Sequence, residues 1–250
     1  MSKTHSIVLI LVVLSCNCGA QHTKTNDDYS ITDGDASEWH RRRNQFSTSV
    51  LVDSSFVIKQ NATITLFPAI IDARIQHTYD SSATDERMTL VAGDLTRLAV
   101  HQVFDVTFRL TELQPSTGER QEIARILAKA LRDLKYTPSL TTYELDSARL
   151  PKIGSTYLLI PYLGWVKTTD HFEPDRKRNI FLGKGTDYQG YLWTEAHAFI
   201  FIIEPRSGKV LFFAYKAWGS GMPYDPTFKR LSKLFGRCAK AYKRAYENGR

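Results

Sequence analysis

Apolar residues are spread unevenly along this chain, and their spacing changes several times. Residues 64–71 form a short apolar run between polar segments, of strand rather than helix length. Pro68 would break a hydrogen-bonded ladder, so the run belongs near an edge or at a bulge. Residues 72–85 are polar and read as loop. Over residues 94–113 two periods overlap. Leu95, Leu98, Ala99, Val103, Val106 and Leu110 keep helical spacing, whereas Phe104, Val106, Phe108 and Leu110 alternate. The first half predicts a helix; the second half stays open between helix and strand.

Residues 119–134 are plainer. Ile123, Ile126, Leu127, Ala130, Leu131 and Leu134 make one apolar stripe at helical spacing. Glu119 and Glu122 near the start and Arg132 and Lys135 at the end suit the helix dipole. Residues 136–143 then read as a strand, and residues 145–150 as a short helical turn. Residues 156–167 (TYLLIPYLGWVK) predict an interior strand covered on both faces, with a bend suggested by Pro161 and Gly164. The charged, glycine-rich residues 168–190 read as a long loop. Residues 191–203 and 209–218 predict a hairpin, turned by Glu204, Pro205, Arg206, Ser207 and Gly208. Phe228, Leu231, Leu234, Phe235, Cys238, Tyr242 and Ala245 predict a terminal helix. The order predicts an α/β fold: a mixed sheet with packed helices, and a C-terminal hairpin followed by an amphipathic helix. No linker divides residues 46–250, so one domain is expected there.

The N-terminus sets the expected compartment. Residues 7–14 are eight consecutive aliphatic side chains, the length of a signal-peptide core. Val13, Leu14, Ser15 and Cys16 resemble a bacterial lipobox. Residues 1–15 would then be the signal peptide, and a lipidated Cys16 the first mature residue. Cleavage after Ala20, removing residues 1–20, and a retained N-terminal anchor stay open as alternatives. Residues 16–45 have little to bury and predict a flexible tether. Cys18 and Cys238 are the remaining cysteines, too few and too badly placed for a structural disulfide. Asn61, Ala62 and Thr63 form a glycosylation sequon, relevant only to a eukaryotic secretory route.

Residues 123–140 (IARILAKALRDLKYTPSL), the strand from Ser155 to Pro161, and the hairpin Ile202 to Leu211 have a family cadence. They resemble envelope α/β domains related to the TolB N-terminal domain, including curli-secretion lipoproteins and penicillin-binding-protein activators. The resemblance covers residues 119–218. It implies the fold and a non-enzymatic, envelope-associated role, and it transfers no functional residue.

Composition narrows the function further. Hydrophobic residues at 42% and charged residues at 24% exclude wholesale disorder. The net charge of +7 is concentrated at one end: residues 226–250 hold eight Lys or Arg against Glu247 alone. Lys233, Arg237, Lys240 and Arg244 are expected to face solvent and to bind an acidic partner or anionic lipid. No nucleic-acid motif accompanies them. Glu195 and His197 are two apart on a predicted strand and share a face, the arrangement acid–base work would need. Asp170 and His171 add a possible partner. Gly183, Lys184, Gly185 and Thr186 lack the spacing of a phosphate-binding loop, and Gly219, Ser220 and Gly221 are not a nucleophile elbow. Trp165, Trp193 and Trp218, with Tyr162, Tyr188, Tyr191, Tyr215 and Tyr224, line either a core or a groove. No metal ligand set and no cofactor motif is visible. These features predict a lipid-anchored, periplasm-facing lipoprotein, held to a cell or outer membrane through Cys16. It would be a non-catalytic binding or assembly accessory with an envelope protein partner. The alternative is an envelope hydrolase using Glu195 and His197.

Overall fold

The computed structural model describes residues 50–53, 58, 61–78, 81–136, 140–169, 194–220 and 224–248. Cys16, the 16–45 tether, Asp170, His171, Trp193, Tyr188, Tyr191 and residues 183–186 lie outside the described residues. The strands are β1 (Val50–Val52), β2 (Thr63–Leu66), β3 (Ile70–Thr78), β4 (Ser81–Thr84), β5 (Arg109–Glu112), β6 (Leu158–Thr168), β7 (Thr194–Glu204) and β8 (Lys209–Ser220). The helices are α1 (Glu86–Phe104), α2 (Thr117–Tyr136) and α3 (Phe228–Asn248). All eight strands join one mixed sheet in the order β1-β8-β7-β6-β2-β5, with β3 also on β6 and β4 on β3. The expected mixed α/β fold is therefore present.

Strand alternation sorts the core into two layers. Leu159, Leu163, Trp165, Ile200, Ile202, Phe212 and Ala214 point to one face, where α1 and α3 cover them. Ile160, Tyr162, Phe199, Phe201, Phe213 and Tyr215 point to the other, against α2. Both faces of β6 and β7 are thus buried, which is why these strands read as near-continuous apolar runs. Each fully buried Leu, Ile or Phe contributes about 1.5–3 kcal/mol by leaving water.

Local chemistry fixes the helix starts. Asp85 caps α1 by accepting from the Met88 N–H at 2.8 Å. Ser116 and Glu119 cap α2 reciprocally: the Ser116 N–H donates to Glu119 Oε2 at 2.7 Å, and the Glu119 N–H to Ser116 Oγ at 3.3 Å. Asn61 holds the turn before β2 at φ 63°, a left-handed conformation that Asn tolerates better than most residues.

Three expectations need correction, and one open reading resolves. The 64–71 run is two strands, because after a last bond from the Phe67 N–H to β6 the chain leaves the sheet at Pro68 and Ala69. The polar 72–85 segment is not loop but mostly β3, β4 and the α1 cap. Alternating Asp72, Arg74 and Gln76 share a face, and Asp72 pairs with Arg74 at 2.8 Å. The open half of the 94–113 segment resolves as the end of α1 followed by β5. Residues 140–143 form no strand; Glu144 makes only an isolated bridge to Lys209. The physical reason is competition for an edge, since β1 pairs with β8 from Phe212 to Ala214. Neither Pro161 nor Gly164 interrupts β6, whose ladder with β7 runs unshifted from Leu158 to Lys167.

Pro161 survives in an interior strand for a specific reason. Leu159 O accepts from the Phe67 N–H at 2.9 Å, so odd-numbered residues of β6 aim their backbone groups toward β2 and β3. β2 pairs with β6 only at Leu158 and Leu159, and β3 begins opposite Tyr162. Pro161 therefore faces the gap between them, where no ladder bond requires its missing N–H.

Candidate functional site

The terminal helix α3 carries the most concentrated charge. Leu231, Leu234, Phe235, Cys238 and Tyr242 are buried against the sheet and α1. About 100° per residue places Lys233, Arg237, Lys240 and Arg244 within an arc of about 60° on the opposite side, over about 16 Å. All four are exposed, and none has an acidic partner among the described residues. Lys243 differs, pairing with Glu247 at 3.8 Å. Arg230 also differs: its guanidinium lies 4.0 Å from the Tyr224 ring centroid and 5.5 Å from that of Trp218. Lys216 on β8 sits beside the stripe. Burial, and then the neighbouring Arg237 and Arg244 cations, hold its ammonium below the usual lysine range. Lys233, Arg237, Lys240 and Arg244 thus concentrate positive charge on one face, with no acidic partner among the described residues.

Glu195 and His197 are brought together on β7. His197 Nε2 lies 3.8 Å from Glu195 Oε2, and Nδ1 lies 2.8 Å from the Tyr215 hydroxyl. The imidazole is buried and stacks on Tyr215 with ring centroids 5.9 Å apart. A Tyr–His–Glu chain can move a proton between its members. It also satisfies a histidine at the margin of an aromatic core, and Phe199 continues the same row.

The aromatic residues divide between the two faces. Trp165 is fully buried, and its indole N–H donates to Tyr224 O at 3.0 Å. It packs on Trp218 at 5.8 Å, with Arg230 beyond. Tyr162 and Tyr215 lie on the α2 side. The described members therefore form core and rim on opposite faces rather than one groove. Ser220 closes β8 and pairs with Thr194.

A feature missed in the sequence is a cleft of about 460 Å³ at the β2–β3 gap. Leu66, Phe67, Ile71, Leu113 and Pro161 give it an apolar lining; Asp94, Arg97, Glu112 and Arg120 give it charge. Arg97 donates to Glu112 Oε1 at 3.0 Å, and His101 Nε2 lies 3.0 Å from the same oxygen. Hydrogen bonds from Arg97 and then His101 hold the Glu112 carboxyl below the usual glutamate range. The available signal was the pairing of Pro68 with Pro161, two prolines in two apolar runs.

Among the described residues no group of three or more His, Cys, Asp or Glu is placed to hold a metal ion. No helix among them is long and apolar enough to cross a membrane.

No family model matches the chain, and no curated protein matches it in sequence. Among solved structures it is similar to the PelC dodecamer from Paraburkholderia phytofirmans, at 6% identity over 76% of this chain and 92% of that one, with a TM-score of 0.33. It is similar to lipoprotein GNA1162 from Neisseria meningitidis at 14% identity, covering 75% and 99%, with a TM-score of 0.32. It is also similar to the hypothetical protein CT253 from Chlamydia trachomatis at 8% identity, covering 72% and 96%, with a TM-score of 0.37. A lipoprotein is thus among the similar structures, and the likeness is one of fold alone. The resemblance to the TolB-related groups finds no support in a family model.

Proposed function

We propose that this protein is a lipid-anchored envelope accessory, non-catalytic, that docks through α3 on an anionic surface. The observation that supports this reading is the unneutralised stripe of Lys233, Arg237, Lys240 and Arg244 on a helix whose other side is fixed in the core. Rigid backing matters, because it presents the cations together and spares the entropy of ordering them on contact. The lipobox at Cys16 supplies the anchor, and a tether of residues 16–45 leaves the domain free to reach a headgroup layer or an acidic envelope partner. Each cation near an anionic surface contributes on the order of 1 kcal/mol, so the stripe would supply about 4 kcal/mol at low salt.

Metabolic labelling with a palmitate analogue tests the anchor: wild type labels and Cys16→Ser does not. An unlabelled wild type removes the lipoprotein reading. Reversing the four cations to Glu in the labelled protein should leave it membrane-bound but abolish the cellular phenotype. A second reading rests on the Tyr215–His197–Glu195 chain, which would serve a hydrolase as its acid–base group.

A further inference from the structure

The cleft at the β2–β3 gap lies at a switch in the course of the chain. Parallel strands β2 and β5 are neighbours. Beyond β2, the chain passes through β3 and β4 to α1, on one face of the sheet. From the end of β5 it enters α2, on the other face. Helices that leave adjacent parallel strands to opposite faces open a crevice outside the strands' carboxyl ends, where open α/β sheets bind ligands. Here the departure of Pro68 and Ala69 from the edge of β6 deepens that crevice. Gly93 on the α1 wall adds no side chain to fill it. The cleft of about 460 Å³ falls within the size range of small-molecule sites.

The charges on its walls select a ligand class. Arg97 and Glu112 are paired with each other. Asp94 on α1 and Arg120 on α2 have no ion-pair partner among the described residues, and they stand on opposite helices above an apolar floor. A lone anion would satisfy one wall and repel the other. A molecule carrying both charges satisfies both. We propose that the cleft binds a zwitterionic small molecule of amino-acid or dipeptide size. Its carboxylate would meet Arg120, its ammonium Asp94, and its apolar side chains Leu66, Ile71 and Leu113.

Calorimetric and NMR titration of the full chain with leucyl-phenylalanine, its N-acetyl form and its C-terminal amide tests this. The unblocked dipeptide should bind saturably and shift the amides of Ala69, Gly93 and Leu113. Each blocked form should bind up to about fivefold more weakly, as expected for loss of one ion pair to an exposed side chain. Arg120→Gln should erase the preference over the amide, and Asp94→Asn the preference over the N-acetyl form. Neither should change the melting temperature, since neither side chain holds the fold. No saturable binding, equal affinity for the blocked forms, shifts confined to another region, or preferences that survive both substitutions would each overturn the proposal.

Discussion

Gly208→Ala should cost far more stability than an exposed turn position normally does. Gly208 closes the β7–β8 turn at φ +78°, and a Cβ built there would lie 2.0 Å from Leu145 O, a backbone atom that cannot swing aside. Real Cβ contacts essentially never fall below 3.0 Å, so the turn or the 143–145 segment must move. Two hydrogen bonds join them: Leu145 N–H to Gly208 O and Val210 N–H to Tyr143 O, each 2.8 Å. Losing both costs about 2 kcal/mol, and a left-handed Ala adds about 1 kcal/mol. A total of about 3 kcal/mol corresponds to a melting temperature lower by roughly 6–12 °C for a domain of this size. Thermal and urea unfolding read it directly. Gly208→Asn separates the causes, because Asn tolerates the left-handed region but keeps the Cβ. It should be nearly as destabilised as Ala. A loss below about 1 kcal/mol for Ala, or full recovery with Asn, would refute the close approach to Leu145.

The other predictions concern α3 and β7. Phe235→Ala should destabilise by about 3–5 kcal/mol in urea unfolding, whereas Arg237→Ala should stay within about 0.5 kcal/mol. Burial pushes the Cys238 thiol up to about 12. In a Cys16→Ser, Cys18→Ser chain it should therefore resist a thiol reagent at pH 8 until the protein is denatured; prompt reaction in the folded state would place it elsewhere. The raised thiol also works against stability only in alkali: above the unfolded cysteine pKa, folding loses stability as pH rises toward about 12. Replacing Glu195 and His197 together with Ala should leave a folded, functional protein. Loss of the phenotype in a folded double variant would favour the hydrolase reading instead.

The two legible helices were those where one face alone is buried. Ile123, Leu127, Leu131 and Leu134 mark the core side of α2, and the α3 stripe separates cleanly from Lys233 and Arg237. The hairpin was legible because β-branched and aromatic residues flank a turn ending in Gly208. β3 was not, although Ile71, Ala73 and Ile75 alternate with Asp72, Arg74 and Gln76. Its polar row looked like loop because the carboxylate and guanidinium that neutralise each other there are adjacent only once the strand forms. The first half of the 94–113 segment read correctly as helix, although Leu98, counted in its stripe, is exposed. Residues 140–143 failed as a strand because β1 occupies the β8 edge from Phe212 to Ala214, a competition that no local window reveals. The cleft was invisible for a related reason. It depends on where β2 stops pairing with β6 and β3 starts.

Binding of the chain from residue 21 onward to anionic vesicles tests the central claim most directly. Phosphatidylglycerol vesicles should sediment the protein at low ionic strength, and phosphatidylcholine vesicles should not. Screening over about 8 Å near physiological ionic strength should weaken the binding steeply. Reversing Lys233, Arg237, Lys240 and Arg244 to Glu should reduce affinity by at least about 100-fold, a conservative share of about 4 kcal/mol. The melting temperature should hold within about 2 °C, because the four side chains lie off the packed stripe. Vesicle binding that survives the reversal, or that ignores salt, would contradict the account and leave α3 a solvated helix with a basic face.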